Sequence, residues 1–165
     1  MDRWKGIWTM DYNGSKYGQA AEENFLKGYN CTQAVFLAFS DLHGMDPKTA
    51  ARLSSSFGAG MGRLREVCGA VSGMFLVAGA LYGYEEPKDH QGKKEHYARI
   101  QELAGAFEGE NGSIVCRELL GLDRKKDVPV PERRTEEYYK KRPCGKIVHM
   151  AAAIMEEYIK GHPLG

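Results

Sequence analysis

From Val67 to Tyr84 the chain carries no charged residue, and this run constrains the fold more than any other segment. It approaches the length of a membrane-spanning helix, which needs about 20 predominantly apolar residues. Gly69, Gly73, Gly79 and Gly83 and Ser72 interrupt it, and nothing elsewhere resembles a second span. We therefore expect a buried central helix, whose small residues let neighbouring backbones approach closely. The 165 residues suit one domain with a core that needs no staple. Lys and Arg number 23 against 22 Asp and Glu, a net charge of +1. That balance argues against a nucleic-acid or anionic-membrane binder, which relies on clustered positive charge.

Helical periods flank the central run. Residues 1–14 show no period and are expected to form an arm docked by Trp4 and Trp8, leaving 15–165 as a single helical domain. Ser15 to Leu26 puts Tyr17, Ala20, Ala21 and Phe25 on one face, with Gly28 as the stop. Asn30-Cys31-Thr32-Gln33 has the pattern of a capping box and opens a helix carrying Ala34, Val35, Leu37, Ala38 and Leu42, ended by Gly44. Asp46-Pro47 supplies a cap and a first helical residue for a segment running to Phe57. Gly58 to Arg63 reads as a flexible connector into the apolar helix.

Beyond Pro87, a long helix is expected from about Asp89 to Phe107, with Tyr97, Ile100, Leu103, Ala104 and Phe107 on its stripe. Ser113 can cap a short helix through Leu120. Asp123 to Arg142 reads as a charged loop, solvated by default, with a docking surface or a lid over Cys144 as the minority reading. Pro143 opens a last helix with Ile147, Val148, Ala151, Ala152, Met155 and Ile159 inward. No segment alternates long enough for a strand. The expected fold is all-α, a compact bundle of about six or seven helices around the central Gly-rich one.

Cys31, Cys68, Cys116 and Cys144 are far apart and form no C-x-x-C, so zinc-ribbon, thioredoxin-like, ordinary ferredoxin and c-type haem patterns are absent. Their placement says more. Cys31 follows a cap residue, Cys116 lies three residues after Ser113, Cys144 follows Pro143, and Cys68 lies in the first or second turn of the central helix. A helix start offers unpaired N–H groups and about half a positive charge. Both favour thiolate, the form that binds metals and does redox chemistry. Four thiols at four helix starts suggest four dipoles directed at one anionic centre. The alternative is four separate small hydrophobes, the usual role of buried cysteine.

Other candidates carry less. The glycine cluster before the central helix lacks the Lys-Ser/Thr and the preceding strand of a phosphate loop. Arg63 and Arg65 could balance thiolate charge or lie on the surface. His149 reads as structural, and His43, His90, His96 and His162 fall in loops or on polar faces. Met1 to Gly6 lacks an apolar leader core, from which a cytoplasmic protein is expected.

The ordered pieces are Asn30-Cys31-Thr32-Gln33-Ala34-Val35, Gly58 to Arg63 leading to Cys68-Gly69-Ala70-Val71-Ser72-Gly73, Ser113 to Gly121 around Cys116, and Cys144. Together they resemble the C_GCAxxG_C_C family of redox-active proteins over roughly residues 18 to 160. The family label writes Gly-Cys-Ala, whereas this chain has Cys68-Gly69-Ala70. The resemblance implies redox character without a substrate. A similar domain accompanies haem-bearing regions in split-Soret-type cytochromes, where an iron–sulfur centre fits the four cysteines; the haem-binding part has no counterpart here. The leading expectation is one iron–sulfur cluster, [2Fe–2S], bound by Cys31, Cys68, Cys116 and Cys144, relaying single electrons to a partner protein. Metal-free thiol–disulfide exchange and a structural zinc site are the alternatives, and a homodimer is left open.

Overall fold

The computed structural model describes residues 12–123 and 126–165, so the expected docking of Trp4 and Trp8 lies outside the described residues. The fold is all-α. A one-turn 3-10 helix at Tyr12–Gly14 precedes α1 (Lys16–Leu26), α2 (Cys31–Ala38), α3 (Ser40–His43) and α4 (Pro47–Ser54). There follow α5 (Gly69–Tyr82), α6 (His90–Asn111), α7 (Cys116–Leu119), α8 (Glu136–Lys141) and α9 (Cys144–Gly161). The uncharged run becomes α5, packed against α2, α6 and α9, while α1 lies across α2 and α9. Among the described residues, no helix is long and apolar enough to cross a membrane.

Capping chemistry sets many of the boundaries. Asn30 Oδ1 accepts from Gln33 N at 2.9 Å and Gln33 Oε1 from Asn30 N at 3.0 Å, so the capping box forms in full. Ser15, Asp46 and Asp89 accept first-turn N–H groups of α1, α4 and α6. Gly44 stops α3 in the left-handed region at φ +63°. On α5, Gly73 lies so close to α2 that a Cβ there would stand 2.9 Å from the Thr32 carbonyl oxygen. That glycine serves packing, and the buried side chains around it form one contiguous core.

Four expectations need correction. Tyr97 is 53% exposed, whereas the inner face of α6 carries His96, Leu103, Ala106 and Phe107. His96 is therefore buried, because Arg99 Nη1 and Tyr84 give its ring polar and aromatic partners. The short helix starts at Cys116, capped by Val115, because Ser113 spends its hydroxyl on Val115 N and Glu118 instead. The charged segment contains α8, capped by Thr135.

The fourth correction concerns Gly58 to Arg63, which is not a flexible connector. Ala59, Gly60, Met61, Gly62 and Arg63 all have positive φ, between 59° and 70°. They form one left-handed helical turn, closed by Arg63 N to Ala59 O at 3.1 Å. Each residue with a Cβ costs about 1–2 kcal/mol in that conformation. Cross-links hold it in place: Glu66 N donates to Gly60 O at 3.0 Å and Asp127 N to Arg63 O at 2.9 Å.

Candidate functional site

The four cysteines meet at one end of the bundle. Cys31 is the first residue of α2, Cys68 caps α5, and Cys116 and Cys144 open α7 and α9. All four line a single cavity of about 280 Å³. An isolated antiparallel bridge between Val67 and Val115 draws two of them together: Cys68 N donates to Ile114 O at 2.7 Å and Cys116 N to Glu66 O at 2.6 Å. Gly69 lets α2 approach, since a Cβ there would lie 3.0 Å from Cys31 Cβ. Gly60 does the same for Cys116, whose Cβ would be 2.7 Å away. The glycines flanking the cysteines therefore act in the site as clearance.

Burial and charge compete for each thiol. Burial pushes Cys68 up to about 12 against the first-turn N–H groups of Ala70 and Val71. Burial also raises Cys116, while the Arg65 guanidinium pulls it down. Interaction between the Cys31 and Cys144 thiols holds the proton on Cys31 and favours thiolate on Cys144, which Arg142, Arg134 and Arg65 support further. Of the two, Cys144, the first residue of α9, is the thiol that loses its proton more readily.

Four arginines, Arg63, Arg65, Arg134 and Arg142, and Tyr138 also line the cavity. Arg65, left open between charge balance and surface by its sequence context, is only 4% exposed. Its Nη1 points at Cys116 Sγ at 3.6 Å and its Nε donates to Asp127 Oδ2 at 3.0 Å. Arg134, Tyr138 and Arg142 come from the charged segment, whose residues 129–142 form a strap over the cavity with Pro129 and Pro131. Arg134 ties the strap down by donating to Phe25 O and Tyr29 O at 2.9 and 3.0 Å, its guanidinium 4.2 Å from the Phe25 ring centroid. Arg142 pairs with Glu132. Burial, then the neighbouring Cys144, pushes the Tyr138 phenol up to about 12. Sequence reasoning singled out none of Arg134, Tyr138, Arg142 and Asp127, and its one signal was the minority reading of this segment as a lid over Cys144.

The histidines stand apart from the cavity lining. His149 faces Glu22 Oε2 at 3.1 Å and Tyr12 O at 2.7 Å, a structural role. His162 stacks on Tyr158, with ring centroids 3.9 Å apart. Among the described residues, no three His, Cys, Asp or Glu side chains are gathered as for a single metal ion.

Four cysteines in this order are set at helix starts around one cavity. The family described as "Putative redox-active protein (C_GCAxxG_C_C)" matches residues 29–158. The chain belongs to this family. The matched span contains all four cysteines, the left-handed turn and the strap, and it ends inside α9. No curated protein and no solved structure matches the chain.

Proposed function

We propose that the C_GCAxxG_C_C chain is an electron-transfer protein whose Cys31, Cys68, Cys116 and Cys144 hold one iron–sulfur cluster. The observation that supports this most is the convergence of four thiols from four helix starts on one cavity. The donor set fits the group, since soft thiolates select iron–sulfur clusters, zinc or copper(I). A single zinc ion would draw four sulfurs to about 2.3 Å from itself, whereas a cavity of about 280 Å³ suits a polynuclear group. A cluster, when bound, would supply one reversible electron, at a potential set by charge, hydrogen bonding and solvent exposure.

The chain's own residues do the rest. The helix starts and the arginines offset thiolate charge, Leu119, Leu120 and Ile147 limit water, and the strap with Pro129 and Pro131 covers the mouth. Loading would displace the protons that burial holds on Cys68 and Cys116. This reading fits a reducing compartment such as the cytoplasm, and a protein partner that exchanges electrons through the strap side.

One observation favours a second reading. Contact between Cys31 and Cys144 is what a thiol–disulfide pair needs. Cys144 thiolate would attack a partner disulfide, and Cys31 would displace the mixed disulfide. That step leaves a Cys31–Cys144 disulfide and two partner thiols, two electrons having passed to the partner. Anaerobic purification followed by iron, zinc and acid-labile sulfide analysis separates the readings. Iron and sulfide with a visible absorption that bleaches on reduction supports the cluster. A metal-free chain that loses two thiols on mild oxidation supports exchange, and stoichiometric zinc overturns both.

A further inference from the structure

We propose that Arg65 is the positioning residue of this centre: held by the left-handed turn and Asp127, its guanidinium keeps a fixed positive charge on the Cys116 sulfur and so sets how readily the centre accepts an electron. The inference rests on the cluster reading for its redox consequence, and on geometry alone for the Arg65–Cys116 coupling.

Arg65 is a costly residue in a costly conformation. It has φ +60°, in the left-handed region, and follows the run of positive φ from Ala59 to Arg63. It is also a cation at 4% exposure. Strain of this kind persists only where the surroundings over-determine it, and it collects at functional sites. The over-determination is visible from both sides. Arg117 N and Nη1 donate to the Arg65 carbonyl at 3.4 and 3.2 Å, and Arg117 is itself paired with Glu66 at 3.2 Å. Gly60 packs against the Arg65 backbone so closely that a Cβ would stand 2.8 Å from Arg65 Cα.

The charge arrangement is asymmetric. Nε of Arg65 is committed to Asp127, leaving Nη1 directed at Cys116. Asp127 is shared with Arg63 at 3.5 Å, so two guanidinium groups meet one carboxylate beside the thiol. The local excess is positive. Adding an electron to thiolate-ligated iron increases negative charge on the sulfurs, and a nearby buried cation favours that state. Hydrogen bonding to ligand sulfurs acts in the same direction. Arg134 and Arg142, by contrast, are tied to backbone carbonyls and Glu132, and neither donates to a sulfur among the bonds described here.

The test compares the wild-type chain with Arg65→Gln, Arg65→Lys and Asp127→Asn, all prepared anaerobically and checked for helicity by circular dichroism. Iron and sulfide content tests the cluster reading, and a reductive titration followed in the visible tests the inference. Arg65→Gln is expected to make reduction at least tenfold less favourable, a fall of about 59 mV for one electron. Asp127→Asn should move the potential the opposite way, and Arg65→Lys should restore most of the loss. Equal potentials in Arg65→Gln and wild type, with clusters loaded in both, overturn the inference while the cluster reading stands. If wild type takes up no iron and sulfide, the cluster reading falls, and the coupling is read on the metal-free chain from alkylation of Cys116 at fixed pH, located by mass spectrometry. A fall of threefold or more in Arg65→Gln, rescued by Arg65→Lys, supports the coupling, and an unchanged rate overturns it.

Discussion

The two ends of the α5–α9 pair each hold an arginine, half-buried Arg99 at one and buried Arg65 at the other, and they use it in opposite ways. At the C-terminal end, Arg99 Nε donates to Tyr158 OH at 2.9 Å, and Nη1 meets His96 Nδ1 at 2.9 Å and Tyr82 O at 3.5 Å. Its guanidinium lies 4.8 Å from the Tyr82 ring centroid. Tyr82 OH in turn donates to His162 O at 2.6 Å. There, cation, aromatic faces and helix C-termini cancel one another, and the negative dipole ends suit a positive charge. At the N-terminal end, Arg65 has one carboxylate and then a thiol-lined cavity. A saturated polar cluster fastens helices together. An unsaturated one, held by a strained backbone, keeps a donor directed at a thiol, and that is the end where the proposed centre lies.

The largest effect is expected from Gly60→Ala. The new Cβ would meet Cys116 Cβ and Arg65 backbone at 2.7 and 2.8 Å, at φ +67°, and should cost about 3 kcal/mol in urea unfolding. Gly79→Ala, toward the other end of the uncharged run, has nothing within 4 Å of its Cβ and should gain about 0.5–1 kcal/mol as a helix-interior replacement. Equal effects would erase the contrast. Arg99→Leu should come next. It leaves Tyr158 OH and the Tyr82 carbonyl without this donor and should lose about 2 kcal/mol, with metal content and thiol reactivity unchanged.

Asn30→Ala removes the capping box at Cys31 and should cost about 1 kcal/mol, with faster alkylation of Cys31 by the same reagent. The smallest effects sharpen the comparison through pH, in the metal-free chain. Burial, then Arg99, holds His96 below histidine's ordinary 6.5. Its contribution is therefore complete above 6.5 and lost as acid protonates it in the folded state. Burial raises Cys68 from 9.0 to about 12, so its contribution is complete below 9 and lost as pH climbs towards 12. Melting temperature should fall on both limbs. His96→Gln should flatten the acid limb alone, and Cys68→Ala the alkaline one.

Much of the fold was legible from local chemistry. The capping box at Asn30, the caps at Ser15, Asp46 and Asp89, and the apolar stripe of α9 each depend on residues within a few positions. The cysteine placement at helix starts follows from the same local signals. Three features depended on distant partners. The left-handed turn and Arg65 beyond it require positive φ at Ala59, Met61, Arg63 and Arg65, which no intrinsic preference favours and which bonds from Glu66, Asp127 and Arg117 help sustain. α8 has few apolar residues beyond Tyr138 and Tyr139, so its charge hides it until Phe25 and Arg134 supply a surface. The burial of Arg65 needed Asp127, sixty-two positions away, and is invisible to any pattern read along the chain.

The first long helix, α1, rests against the last, α9, and each wall of the cavity comes from a different stretch of the polypeptide. During synthesis three of the thiols leave the ribosome well ahead of Cys144, which arrives only with α9 and after the strap. No shortened product that stops before α9 carries all four thiols, so filling of the proposed centre would also certify that translation had reached Cys144.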